Sequence, residues 1–151
     1  LVGYNYGAGD MDRVRRVTWL AAGWAAALTT TAAGLFVAFP AFFVRPFAPD
    51  PELAELATHA LRLFCPGLAV AGASVLLSAF FQGIGKGFPA LALTLARQAV
   101  IFLPALMILP RFWGLDGVFL AQPLSDVAAF VITVVWVTRE FRALGIPMFG
   151  R

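Results

Sequence analysis

Two ionisable residues, Arg97 and Asp126, lie deep inside long apolar stretches of this 151-residue chain. A charged side chain in a membrane interior is costly, so it usually pairs with a partner or faces a wet cavity. Each residue lies about nine positions into its stretch, roughly 13 Å from one face of a bilayer core about 30 Å thick. Because successive spans run in opposite directions, the two depths agree to within about one helical turn. We therefore expect the two side chains to share the protein interior, as a structural pair or as part of a cavity wall.

Small and polar residues recur at helical spacing beside these two charges. Residues three or four positions apart lie on one face of a helix, and small or polar faces favour contact with protein or water rather than lipid. One such face follows Gly67 and Ala71, and another includes Asp126. They predict either close helix packing or the wall of a solute cavity, and the candidate lining residues are Ser74, Ser78, Gln82, Gln122 and Thr133.

Two prolines lie inside the same apolar stretches, Pro104 seven residues after Arg97 and Pro123 close to Asp126. A proline within a helix removes a backbone hydrogen bond and commonly bends the helix. Bent helices beside polar residues suit a protein that moves between two states, although packing alone would also explain them. Pro104 and Pro123 are therefore candidate hinges.

The elements that must position these residues are membrane spans. The chain is 61% hydrophobic and 13% charged, whereas soluble domains carry about 25% charged residues. A run of about 18 or more apolar residues can cross a bilayer. We predict an all-α integral membrane protein with a loop over residues 1–16, spans at about 17–44, 63–85, 88–110 and 117–138, and a tail over 139–151. Asp50 and Pro51 predict a short amphipathic helix before the second span.

Basic residues outside the predicted spans indicate the orientation. Cytoplasmic loops of membrane proteins carry an excess of Lys and Arg. Residues on the side of the two termini are Arg13, Arg15, Arg16, Lys86, Arg139, Arg142 and Arg151, and those on the other side are Arg45, Arg62 and Arg111. We predict a multi-pass protein of the inner (plasma) membrane with both termini cytoplasmic. The net charge of +3 is explained by these helix ends, so no nucleic-acid partner is predicted.

The residue patterns that would indicate an enzyme lack required residues in this sequence. Gly85 and Lys86 are similar to a phosphate-binding loop, but Phe80 replaces its first glycine and Gly87 replaces its hydroxyl residue. His59 is the sole histidine and Cys65 the sole cysteine, and neither has partners at metal-ligand or nucleophile spacing. We therefore expect no enzyme activity, no catalytic residue, no metal site and no organic cofactor.

Two groups of short segments resemble a known family. The first is LVGYNYGAGD at residues 1–10, followed by Asp12, Arg13, Val14 and Arg15. The second comprises FQGIGKG at 81–87, LARQ at 95–98, Pro104, LP at 109–110, GLDG at 114–117 and SD at 125–126. In this order they resemble the C-terminal half of the multidrug and toxic compound extrusion (MATE) family, and the resemblance extends over essentially the whole chain.

The resemblance implies a twelve-helix antiporter of two six-helix bundles, of which this chain would be the last four helices. Such a transporter exports amphipathic or cationic drugs and toxic metabolites in exchange for Na⁺ or H⁺ by alternating access. Its partners would be membrane lipid, the small-molecule substrate and the remaining N-terminal part of the same transporter. The chain begins at Leu1 without a methionine, and we expect it to be a fragment that does not transport alone.

One departure from the family limits the assignment of the coupling ion. Cation-coupled members are associated with acidic residues in their first, seventh and tenth helices, yet the matching window 63–85 has none. The residues that bind Na⁺ or H⁺ are therefore not identifiable from this chain. Two alternatives are a flippase of lipid-linked saccharides from the same superfamily, and a non-transporting four-helix scaffold subunit of the membrane. Only Arg97 is basic within the spans, which favours drugs over a lipid-linked pyrophosphate.

Overall fold

A computed structural model describes residues 1–146, so the end of the predicted tail, including Arg151, lies outside the described residues. These residues form helices and connecting turns, with no strand among them. The α-helices are α1 Val2–Gly7, α2 Met11–Ala38, α3 Pro40–Val44, α4 Pro51–Phe64, α5 Leu68–Gly83, α6 Gly87–Leu95, α7 Leu103–Trp113 and α8 Leu115–Ala143. A 3₁₀ turn, Cys65–Gly67, joins α4 to α5, and a π-helical segment, Ala96–Phe102, joins α6 to α7.

Four continuous helices are long and apolar enough to cross a membrane. Span 1 is Met11–Ala38, span 2 is Pro51–Gly83, span 3 is Gly87–Trp113 and span 4 is Leu115–Ala143. The predicted fold class, an all-α chain with four membrane-spanning helices, is confirmed.

Span 1 begins six residues before the expected position and ends earlier than expected. The carboxylate of Asp10 accepts a hydrogen bond from the backbone N–H of Arg13 at 3.0 Å, so the charged turn before the apolar stretch is already helical. The helix ends at Ala38, and Pro40 starts the separate helix α3. A proline disfavours helical geometry in the residue before it, which accounts for the break at Phe39.

Span 2 differs most from the expected bounds, because the amphipathic helix and the span form one continuous element. Asp50 caps its start by accepting the N–H of Glu52 at 3.1 Å, and Pro51 occupies the first turn. Its 33 residues extend roughly 50 Å at about 1.5 Å per residue, about 20 Å more than the bilayer core. The element is therefore longer than an untilted crossing of the hydrocarbon layer requires.

Span 2 lies between spans 1 and 4. Phe80 of α5 and Phe141 of α8 are buried, and their ring centroids lie 4.9 Å apart in an edge-on arrangement. On the other side, a Cβ at Gly72 would lie 2.5 Å from the methyl carbon of Thr29, so the glycine allows close approach of spans 1 and 2. This packing holds the polar face of α5 against α8.

Candidate functional site

Arg97 and Asp126 form an ion pair between spans 3 and 4. An Nη1 hydrogen of Arg97 is donated to Oδ1 of Asp126 at 3.4 Å, and Nε2 of Gln122 donates to the same oxygen at 3.0 Å. The side chain of Asp126 is 4% exposed and that of Arg97 is 23% exposed. The carboxylate is therefore enclosed by protein, whereas part of the Arg97 side chain remains accessible.

The π-helical segment Ala96–Phe102 determines where Arg97 points. Within it the turn is wider than in an α-helix, and the N–H of Leu103 bonds to the carbonyl of Gln98, five residues earlier. Pro104 follows at the start of α7. A proline ring clashes with the carbonyl four residues before it, and one extra residue per turn relieves that clash. π-Helical turns are rare and occur often at functional sites.

A hydrogen bond from span 4 holds the same segment in place. The hydroxyl of Ser125 donates to the backbone carbonyl of Arg97 at 2.8 Å, and Ser125 is fully buried. Ser125 and Asp126 are adjacent, so one turn of α8 contacts both the backbone and the side chain of Arg97. The position of Arg97 is thereby defined at two points.

The 3₁₀ turn of span 2 lies close to Pro123 and Asp126 of span 4. A Cβ on Gly67 would lie 2.5 Å from Cα of Pro123 and 3.2 Å from Oδ2 of Asp126. The turn and the π segment thus bring irregular backbone of two spans, together with Pro123 of a third, to the surroundings of one carboxylate. Irregular backbone at membrane depth is tolerated where protein or a cavity surrounds it.

A cavity of about 350 Å³ lies beside this cluster, between spans 2, 3 and 4. We call it the interspan cavity. Its polar lining residues are Ser74, Ser78, Gln82, Thr94, Arg97 and Thr133, and its apolar lining residues are Val75, Ala79, Leu93 and Ala129. Arg97 belongs to the wall, but Asp126 and Gln122 do not.

Hydrogen bonds within the wall determine which polar atoms remain available. The hydroxyls of Ser74 and Thr133 lie 3.4 Å apart, and the hydroxyl of Thr94 donates to the carbonyl of Ala90 at 2.9 Å. Among the described residues, Ser78 and Gln82 have no side-chain partner. The cavity therefore offers a partly exposed arginine side chain, one hydroxyl and one amide to a solute.

The candidate residues from the sequence fall into three groups. Ser74, Ser78, Gln82, Arg97 and Thr133 lie together at the interspan cavity. Gln122 does not, because α8 turns its amide toward Asp126 instead of the cavity. Of the candidate hinges, Pro104 directly follows the π-helical segment, whereas Pro123 lies inside the continuous helix α8.

Two contributors were missed at the sequence level. Thr94 lies three residues before Arg97 and shares its helix face, so the same spacing rule would have found it. Ser125 acts through a bond to a backbone carbonyl, which no residue pattern reveals. Within residues 1–146, no three acidic, histidine or cysteine side chains gather to hold a metal ion.

The profile of the MatE family matches residues 1–108 of the chain. A curated relative, the multidrug export protein MepA of Staphylococcus haemolyticus, is 32% identical over 89 residues, which are 58% of this chain and 20% of that protein. MepA of Staphylococcus aureus is 30% identical over 90 residues, again 20% of its length.

Solved structures share the fold over nearly the whole chain. An inward-facing multidrug resistance MATE family transporter of the MOP superfamily matches with a TM-score of 0.90 and 22% identity, over 98% of this chain and 35% of that one. An outward-facing one matches with a TM-score of 0.89 and 22% identity, over 95% of this chain and 33% of the other. The chain thus spans about a third of these transporters.

Proposed function

The chain belongs to the MatE family, and from that premise we propose that it forms the C-terminal part of a secondary active antiporter. The transporter would export amphipathic or cationic drugs and toxic metabolites in exchange for Na⁺ or H⁺. The remaining N-terminal part of the transporter, membrane lipid and the small-molecule substrate are its partners. The four spans make the chain a multi-pass membrane protein.

The observation that carries the proposal is the convergence of polar faces from three spans on one cavity beside an intramembrane ion pair. A protein that only anchors or scaffolds has no need for such a cavity, because each exposed polar atom inside a membrane is unfavourable. Transporters place substrate sites near the bilayer midplane, beside helices with interrupted backbone. The interspan cavity lies beside Arg97 of the π-helical segment, which interrupts the α-helix of span 3.

Alternating access is supported by the fit of the same four-span arrangement to both an inward-facing and an outward-facing transporter. Because the two TM-scores are nearly equal, this arrangement is compatible with both states. We propose that the four spans rock as one body against the other bundle. A hinge role for Pro104 or Pro123 is the alternative, in which span 3 or span 4 bends between the two states.

The proposed orientation places both termini in the cytoplasm and the protein in the plasma membrane. Lys86, at the turn between spans 2 and 3, and Arg139, near the end of span 4, lie toward the same membrane side as the N-terminal basic residues, which supports this orientation. The coupling ion, Na⁺ or H⁺, would bind acidic residues in the N-terminal part rather than in span 2, where the window 63–85 carries none.

Efflux from cells tests the function. The transporter containing this chain would be expressed in cells without their own exporters, and ethidium accumulation would be followed by fluorescence. We expect lower accumulation than in empty-vector cells, and faster efflux when an inward Na⁺ or H⁺ gradient is imposed on loaded vesicles. Accumulation equal to that of the vector for ethidium and for neutral amphiphilic dyes would contradict drug export.

A further inference from the structure

The two members of the ion pair are placed unequally relative to the interspan cavity. Arg97 lines the cavity, whereas Asp126 lies behind it, with its side chain 4% exposed. A solute in the cavity therefore contacts Arg97 and not Asp126. The ion pair has no net charge, but its member that lines the cavity is the positively charged one.

The guanidinium of Arg97 also has N–H donors that no side chain among the described residues uses. Arginine carries five N–H donors in a rigid planar fork, and only one side-chain bond of Arg97 is present among the described residues, the 3.4 Å contact with Asp126. That contact is longer than typical charge-assisted hydrogen bonds of about 2.7–2.9 Å. Gln82 and Ser78, without side-chain partners, add further donors on the opposite wall.

We propose that the interspan cavity binds the carboxylate of zwitterionic amphiphiles, with Arg97 as the residue that determines this preference. The inference rests on the proposed export function and narrows its substrate class. A planar carboxylate fits the guanidinium fork through two parallel hydrogen bonds. The cavity of about 350 Å³ admits one polar end of a drug-sized molecule, whose cationic or aromatic part extends beyond it.

Asp126 has a positioning role in this arrangement. Its Oδ1 accepts hydrogen bonds from the guanidinium of Arg97 and from the amide of Gln122, while the hydroxyl of Ser125 donates to the backbone carbonyl of Arg97. Asp126 is not a substrate ligand, so removal of its charge leaves the cation in the cavity. Removal of Arg97 takes the cation away, and the two substitutions therefore have different effects on an anionic group.

The test compares two dyes that differ only at a carboxyl group: rhodamine 110, which is zwitterionic, and its methyl ester rhodamine 123, which is cationic. Binding of each dye to the purified transporter containing this chain would be measured by fluorescence polarisation. The variants are Asp126→Asn, Arg97→Lys, and Arg97→Gln combined with Asp126→Asn. Thr31→Ala, on the exposed face of span 1 and away from the cavity, is the matched control.

We expect the double variant to bind rhodamine 110 about tenfold or more weakly than Asp126→Asn does, because two charge-assisted hydrogen bonds are lost. Rhodamine 123 binding should change less than about threefold by the same reasoning, since an ester cannot pair with the guanidinium as an anion. Arg97→Lys keeps the charge without the planar fork, so its affinity for rhodamine 110 should lie between those of Asp126→Asn and the double variant. Thr31→Ala should match the unaltered transporter.

An equal fall in affinity for both dyes would overturn the proposal, as would a lack of rhodamine 110 binding to the unaltered transporter. Arg97→Lys retains the partner of Asp126, so it keeps the test decisive if the double variant does not fold. Efflux separates this inference from the function. Selective binding without export of either dye would contradict the function alone, whereas export of both dyes without dependence on Arg97 would contradict the inference alone.

Discussion

Arg97 and Asp126 meet across spans 3 and 4 with 3.4 Å between Nη1 and Oδ1, and only the arginine reaches the interspan cavity. Gln122 donates to the same carboxylate oxygen at 3.0 Å. The carboxylate thus receives two donors on its protein side, and the guanidinium keeps its remaining donors for the cavity. This asymmetry links the stability of the span arrangement to the chemistry of the cavity wall.

Removal of either partner should leave one ionisable group in the membrane interior without its counterion. We expect Arg97→Gln and Asp126→Asn each to lower the free energy of unfolding by about 2 kcal/mol, less than the 3–5 kcal/mol typical of fully buried pairs because Arg97 is partly exposed. The double variant should lose less than the sum. SDS titration of the purified transporter measures these values, and strictly additive losses would show that the two groups are not coupled.

Gly67 should tolerate no side chain. The Cβ of alanine would lie 2.5 Å from Cα of Pro123, and because that atom is backbone, spans 2 and 4 must separate. We expect Gly67→Ala to lower the free energy of unfolding by about 1–3 kcal/mol, as overpacking does. Gly87→Ala is the control, since a Cβ there meets nothing within 4 Å. Equal melting temperatures for the two variants would contradict the close approach.

Pro104→Ala tests the π-helical segment. Alanine restores a backbone N–H and removes the ring clash that favours the wider turn. If residues 96–102 revert to α-helix, Arg97 rotates about 100° relative to α7, because an α-helix has 3.6 residues per turn. We expect a larger loss of efflux than of thermal stability.

Pro89→Ala is the control for that experiment, because Pro89 lies in the first turn of α6, where its missing N–H has no intrahelical partner. Hydrogen exchange at residues 96–104 would report the change in the backbone directly. Unaltered exchange combined with lost efflux would favour a hinge role for Pro104 over a role in positioning Arg97.

Lys86 and Glu140 form an ion pair between the turn after span 2 and the end of span 4. The hydrogen bond to Glu140, together with its negative charge, raises the pKa of Lys86 above the ordinary 10.5. A raised pKa means that the stabilisation is complete below 10.5 and disappears as the pH rises through the higher folded value. The difference in melting temperature between the unaltered protein and Lys86→Gln should therefore stay constant from about pH 6 to 9 and shrink near pH 11. A difference that grows with pH would contradict this pairing.

The amino-acid sequence alone determined the membrane class and the number of spans. Hydropathy is a local property summed along the chain, and four apolar runs can satisfy their backbone hydrogen bonds in a membrane only as helices. The sequence also determined the depth of Arg97 and Asp126, because depth follows from residue count in a regular helix. Their common level, and the shared face of Ser74, Ser78 and Gln82, required no tertiary information.

Helix ends were less accessible to the sequence. The caps by Asp10 and Asp50 extend spans 1 and 2 into charged residues that hydropathy excludes. Capping and the continuity of α4 with α5 depend on local hydrogen bonds and on contacts with neighbouring spans, so an apolar window marks the lipid-facing part of a helix and not its full length.

Only the tertiary structure decided how the helices rotate about their axes. The spacing of Gln122, Asp126 and Thr133 placed all three on one helix face, yet Thr133 lines the interspan cavity and Gln122 turns to Asp126. The contact of Gly67 with Pro123 and the bond from Ser125 to the π segment also arise between spans. Each depends on the distance between two helices and on their relative rotation, and the extra residue in a π turn shifts that rotation without changing the hydrophobic pattern that the sequence displays.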